Sequence, residues 1–329
     1  MRTIIIFVCF VALLSSCNSE KCRPIPETEG ITVEVNIERL ENELFALESL
    51  PAIVEFLDTH QSFARLFLQS DQYPNDTVLA RSILKIIKDP HIDTLYRETM
   101  QEFSDFSYLE TEFEQAFKNI KAFYPQFKAP KIQTVVTGFA SDMYVSDSLI
   151  IIGLDYFIGP EATFRPIDLP NYILERYRKE YIVPSIVLIL SEQFNETDVR
   201  DKTLLAEMIY FGKAYYFTSR VLPCTNDSLL IGYSGEEIEE VNENEDIIWA
   251  NFLHNKIIYE TGHDMKKKFI GERPNVHEIG EKCPGRIGVW VGWEIVENYM
   301  KTHDDTTLPK IMSNADAKAI FQQSKYNPM

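Results

Sequence analysis

Lys131-Ile132-Gln133-Thr134-Val135-Val136-Thr137-Gly138-Phe139 is the stretch on which the fold class turns. Its density of Ile, Val and Thr suits a pleated, half-buried surface. It follows a turn at Tyr124-Pro125, and two shorter apolar runs come after it, Met143 to Val145 and Ser148 to Leu154, divided by the turn-forming Ser146-Asp147. A small antiparallel sheet is the simplest account. Upstream, Ile31, Val33, Val35 and Ile37 alternate with polar partners and predict one more strand. The rest of the N-terminal third has helical periodicity, from Ile37 to Leu47, Pro51 to Phe67, Asp76 to Lys88 and His91 to Phe123.

Beyond Gly159-Pro160 the helical pattern returns. Ile186-Val187-Leu188-Ile189-Leu190 is apolar on all sides, which predicts a fully buried helix or a strand, and residues 202–222 predict a long helix. Ser234 and Glu237 have capping-box spacing. Pro284-Gly285 precedes an amphipathic run from Arg286 to Met300, and Ser313 with Asp316 opens a last helix through Ile320 and Phe321. The expected fold class is α+β, with a single mainly helical domain over residues 31–329 carrying the small antiparallel sheet.

The N-terminus has its own logic. Arg2 precedes an apolar run through Ile4, Ile5, Ile6, Phe7, Val8 and Phe10 to Leu14, followed by Ser15 and Ser16, the organisation of a secretory signal. The run is too short to span a bilayer, which takes about 20 residues. Leu14-Ser15-Ser16-Cys17 resembles the bacterial lipobox, so residues 1–16 are expected to be removed and Cys17 to carry lipid. Several acyl chains, each methylene contributing about 0.8 kcal/mol, would make release from the membrane negligible. Residues 17–30, rich in Asn, Ser, Glu, Pro and Gly, read as a lipidated tether.

Fifty acidic against thirty-two basic residues give a net charge of −18, and the mature chain loses Arg2 as well. Nucleic acid is excluded as a partner for such a surface. Of five cysteines, Cys22, Cys224 and Cys283 remain for the folded body. An exported compartment allows disulfides; Cys224 with Cys283 is one available pair, and the sequence does not decide it.

Catalytic patterns are incomplete. No two of the six histidines are four apart, so the zinc-peptidase helix is missing. His277-Glu278-Ile279-Gly280-Glu281 comes nearest, but it lies between Pro274 and Pro284 and contains a glycine, a setting for a loop. Gly232-Tyr233-Ser234-Gly235 is one residue short of a serine-nucleophile elbow. No catalytic residue, metal ligand or cofactor is therefore assigned. In Cys283–Val296, Gly285, Gly288 and Gly292 fall at i, i+3 and i+7, and glycine costs about 1 kcal/mol relative to alanine inside a helix. This suggests close approach of another backbone. Core packing is the default reading; the functional one makes Gly285, Arg286, Gly288, Trp290, Gly292 and Trp293 a candidate interaction face, with Arg286 holding a carboxylate of a partner or of the chain itself.

Several motifs together resemble the gliding-motility lipoprotein GldB family of Bacteroidetes: Cys17 in its lipobox, Tyr124-Pro125, Ile152–Gly159, Tyr181–Pro184, Met208–Lys213, Ile231-Gly232-Tyr233, Ile248-Trp249-Ala250, Pro284–Trp293 and Phe321–Tyr326. The resemblance implies a membrane-tethered cell-envelope protein with envelope protein partners, associated with the gliding machinery and also present in relatives that do not glide. It further implies a distant similarity to gluzincin-type peptidases, with Phe211 before Gly212-Lys213-Ala214 where a metal-binding glutamate would stand. On that kinship the fold is a degenerate zincin whose metal chemistry has gone. Surface-exported lipoproteins of this phylum resemble one another in an acidic run after the lipidated cysteine, whereas Asn18-Ser19-Glu20-Lys21 supplies one acid and one base, which favours a body facing the periplasm. The expected function is non-enzymatic interaction or assembly. The alternatives are a metallohydrolase using His277, Glu278 or His254, and a general envelope chaperone.

Overall fold

The computed structural model describes residues 22–328; the signal segment and Cys17 lie outside the described residues. In chain order the elements are β1 (Ile37–Arg39), α1 (Leu40–Leu44), α2 (Leu50–Thr59), α3 (Gln61–Leu66), α4 (Asp76–Ile87), α5 (Pro90–Glu102), α6 (Ser107–Phe123), β2 (Lys131–Val135), β3 (Met143–Val145), β4 (Leu149–Gly153), α7 (Asn171–Leu174), α8 (Ile182–Leu190) and α9 (Leu204–Val221). They continue as α10 (Asp227–Ile231), α11 (Gly235–Glu243), α12 (Glu245–His254), α13 (His263–Ile270), α14 (Ile287–Thr302), α15 (Leu308–Met312) and α16 (Ala317–Ser324). The mainly helical α+β class is as the sequence predicts.

The sheet order is β1-β2-β4-β3. It is mixed, which corrects the expected antiparallel sheet: β1 and β4 both run parallel to β2, and β3 alone is antiparallel, against β4. The alternation from Ile31 to Ile37 is real in burial, with Val33 and Ile37 inside, but only Ile37–Arg39 joins the ladder. Period-two burial reports a surface packed on one side, and an extended segment lying on a core satisfies it without a partner strand.

Strand β4 shows how the layers are arranged. Ile150 and Ile152 point into a large core shared with α6, α8, α9 and α14, while Leu149 and Ile151 point into a smaller core with α1, α2, α3 and α4. The sheet is thus covered on both faces, and its central strand reads as continuous Leu-Ile-Ile-Ile instead of alternating. Helix α9 runs through the large core and is buried nearly all round, from Leu204 to Val221. It crosses α14 where Gly212 meets Gly292: a Cβ on either glycine would fall inside the carbonyl of the other helix, Gly292 O in one case and Met208 O in the other. Lys213, fully buried on α9, donates its ammonium to the carbonyls of Glu196, Met312 and Asn314 at 2.5, 3.2 and 2.9 Å. Burial lowers its pKa to about 8, so it stays charged at neutral pH and ties two chain segments, at Glu196 and at Met312–Asn314, to the helix.

The caps follow local chemistry. Ser234 and Glu237 form the capping box that their spacing predicts. The last helix begins one turn later than expected, because Asp316, not Ser313, caps it by accepting from the Ala319 N–H at 2.8 Å. Among the described residues, no helix is long and apolar enough to cross a membrane.

Candidate functional site

A groove opens where strand β3, helices α8, α9 and α10 and the start of α14 converge. One part, about 680 Å³, is walled by Tyr172, Arg178, Ser234, Asn275 and Gly285; an adjoining part, about 350 Å³, by Met143, Ser185, Leu188, Ile189 and Tyr215. Both are lined by Arg176, Tyr181, Gly232, Glu272 and Arg286, which makes the two continuous.

The β3 wall is held in place by buried groups. Asp155, fully buried, accepts from the Thr137 and Phe139 N–H groups at 2.9 and 2.7 Å. Tyr156 Oη donates to the Phe139 carbonyl at 2.6 Å, and Tyr177 Oη donates to Asp142 Oδ2 at 2.7 Å. Burial raises the Asp155 carboxyl, against the lowering effect of the N–H donors. These contacts fix the loop that delivers β3 to the sheet edge. As the outermost strand, β3 is bonded on one side only.

The centre of the groove is Glu272 between two guanidiniums. Arg176 grips it with two parallel bonds at 3.0 and 2.7 Å, and Arg286 Nε stands 3.3 Å from Oε1. Burial alone would raise the Glu272 pKa, but the hydrogen bond and charge of Arg176 and the charge of Arg286 outweigh it and hold the carboxyl below its usual range. Arg286 also donates to Tyr215 Oη at 3.1 Å and to the Ile231 carbonyl at 2.5 Å, and its guanidinium lies 5.7 Å from the centre of the Tyr233 ring. Its backbone is left-handed, with φ 57°, an uncommon state for a side chain of this size. The turn is fixed from both ends: Tyr233 Oη donates to the Gly285 carbonyl at 2.7 Å, and a Cβ at Gly285 would collide with the Arg273 carbonyl.

The glycine face quoted from the sequence turns inward. Gly292 meets α9, Gly288 meets Phe269 and Ile270 of α13, and Trp290 and Trp293 are buried, with Trp293 stacked on Tyr215 at 5.7 Å. Only Arg286 and Gly285 reach the groove, while Trp290 and Trp293 underlie a second one near Cys22. Arg286 holds a carboxylate of its own chain, that of Glu272.

The residues named for hydrolysis do not converge on the groove. His277 and Glu278 lie in an exposed turn, with Glu278 3.1 Å from Arg273 and 3.4 Å from Lys268, and His254 ends α12. Among the described residues, no group of three or more His, Cys, Asp and Glu side chains is placed to hold a metal ion.

The cysteine pairing differs from the one considered above. Cys22 bonds Cys224, and Cys283 is free and buried. Residues 22–24, expected to be loose tether, are strapped to the body: the Arg23 N–H donates to the Pro223 carbonyl at 2.8 Å, its side chain reaches Asp227 at 2.5 Å, and Arg220 donates to the Pro24 carbonyl at 3.2 Å. Sequence reasoning missed Glu272 and Arg176 as well, since neither belongs to a recognisable local pattern.

A helical α+β domain with a sheet-edge groove, a half-buried arginine at its centre and an N-terminal disulfide strap is the class of protein that emerges. Residues 21–328 match the family described as gliding motility protein GldB, and the chain belongs to that family and so to the proteins associated with gliding motility. No curated protein and no solved structure matches it.

Proposed function

We propose that this chain is anchored by lipid on Cys17, holds its body on the periplasmic side of a cell-envelope membrane, and acts without catalysis by engaging a segment of an envelope protein in the groove. The observation that carries the binding reading is the groove itself, which sets the outer strand β3 beside the apolar side chains of Leu188 and Ile189. An extended segment added to such an edge gains main-chain hydrogen bonds, and pockets beside it select alternate side chains. The Cys22–Cys224 bond supports an oxidising compartment, because disulfides persist outside the cytosol.

What supports a non-catalytic role for this groove is the state of two carboxylates, Glu272 at its centre and Glu278, the one named for hydrolysis. A general base or acid works with its pKa near the operating pH. Glu272 and Glu278 are instead held below the usual range, Glu272 by guanidinium partners and Glu278 first by its own backbone N–H and then by Arg273. On the gluzincin kinship that the resemblance implies, α8 and α9 are the former metal helices. There Ser185, Leu188 and Ile189 line the groove, and Phe211 stands where the glutamate would be, so the site suits side chains of a partner.

The test places a photo-crosslinking side chain at Leu188, or at Ser82 on exposed α4, in cells. One discrete envelope partner captured from Leu188 and absent from Ser82 is expected. A broad set of clients from both positions contradicts the reading in favour of a chaperone, and stoichiometric zinc lost on His277→Ala contradicts it in favour of a hydrolase.

A further inference from the structure

We infer that the Cys22–Cys224 bond determines which face of the domain lies on the membrane: the surface around Cys22, Pro24, Ile25, Arg220 and Cys224 is apposed to the lipid headgroups. The inference rests on the proposed lipidation of Cys17 and adds an orientation to it. Five peptide steps separate Cys17 from Cys22, and fully extended they reach at most about 18 Å. A domain of this length has a radius of gyration of roughly 19 Å and is roughly 50 Å across. The leash is therefore much shorter than the body it holds, and only the surface near its attachment point can meet the bilayer.

Without the bond only the part-exposed contacts of Arg23 and Pro24 would hold residues 22–24, and surface contacts of that kind are weak. Residues 25–30 hold no buried side chain, and the first buried apolar side chain among the described residues is Val33. A leash from Cys17 to that point would span about 55 Å, comparable with the whole molecule. The domain could then present any face. Both half-cystines are exposed, so the strap ends at the surface and not in the interior. Beside it Ile25 is 59% exposed, a large apolar side chain that the fold does not cover. Arg23 over the Trp293 ring, 5.8 Å away, and its ion pair with Asp227 hold the strap flat against the body. Charge does not supply this orientation: a surface with so large an excess of acidic residues is repelled by anionic headgroups, so the covalent leash must.

The experiment uses the full lipidated protein in vesicles of phosphatidylethanolamine and phosphatidylglycerol with an acceptor dye on the headgroups. A donor fluorophore on a bio-orthogonal side chain is placed at Asn242, which lines the same groove as Cys22, or at Ser82, on the helical layer behind the sheet. Energy transfer is expected to be higher from Asn242 than from Ser82. The difference should be lost when about 20 Gly/Ser residues are inserted between Lys21 and Cys22, a change that leaves the fold and the disulfide intact. It should be lost as well in the Cys22→Ser, Cys224→Ser double variant, whose circular dichroism reports separately on folding. Equal transfer from both positions in the unmodified leash, with the protein still bound to vesicles, overturns the orientation and leaves the anchor standing. An intact mass without acyl chains and a protein that stays in the supernatant overturn the anchor itself, and the orientation with it.

Discussion

Gly292 has no room for a side chain. A methyl group there would enter the Met208 carbonyl, and the same is true of Gly212 against Gly292, so the α9–α14 crossing depends on both residues. Gly292→Ala must push two long helices of the core apart, and overpacking of this kind costs about 1–3 kcal/mol. We expect a loss toward the upper end of that range in urea unfolding; unchanged stability would mean that the helices do not approach as described. Glu294, on the same helix, carries the opposite kind of stress. Burial first, and then the Glu245 carboxylate, raises its pKa from the ordinary 4.5 to about 7, with Lys301 opposing. The unfolded chain releases this proton near pH 4.5 and the folded chain near pH 7. Between those values the folded state binds the extra proton, so the stability that the protonated carboxyl allows is present at low pH and is lost as pH rises through the window. Glu294→Gln should therefore raise the melting temperature at pH 8 and leave it nearly unchanged at pH 4.5. Equal shifts at both pH values would contradict this assignment.

At the scale of elements, the disulfide strap and the sheet show what a sequence can and cannot reveal. Local reciprocity was legible: Ser234 and Glu237 satisfy each other's backbone partners within one turn, and the spacing alone predicts it. The glycine periodicity of α14 was legible as close approach, but its partner Gly212 was not, because nothing in Phe211-Gly212-Lys213 says which helix it meets. The parallel pairing of β1 with β2 joins Ile37 to Ile132 across six α-helices and so leaves no turn signature between them. The disulfide spans 202 residues, and Cys22 sits in a segment whose composition reads as tether. A loop of that size removes up to about 5 kcal/mol of chain entropy from the unfolded state, although measured effects are typically about 2–4 kcal/mol. Reductant should lower unfolding stability by an amount in that measured range, read from urea midpoints. Identical midpoints with and without reductant would show that the pair does not constrain the unfolded chain.

For the whole molecule, several of the motifs that carry the family resemblance prove to be neighbours in space. Ile231, Tyr233, Gly285 and Arg286 close around the groove through bonds that join residues more than fifty positions apart. Tyr326 and Phe321 pack edge-on against Trp249, and Tyr326 donates to Glu245 at 2.8 Å. The fold class was readable because periodicity is local. The groove was not, because Arg176 and Glu272 acquire their meaning only when α7 and the segment after α13 are brought together. The proposed membrane tether, by contrast, is read from a short N-terminal stretch outside the described residues, and the proposed roles of the groove, the strap and the orientation all take their biological sense from it. The most direct test is fractionation of cells carrying the wild type or Cys17→Ala, with intact masses of the products. The account predicts acylated wild-type protein in the membrane fraction, and a Cys17→Ala product that is either released as soluble protein or left as unprocessed precursor. A correctly cleaved Cys17→Ala protein retained on membranes at the wild-type level would contradict it.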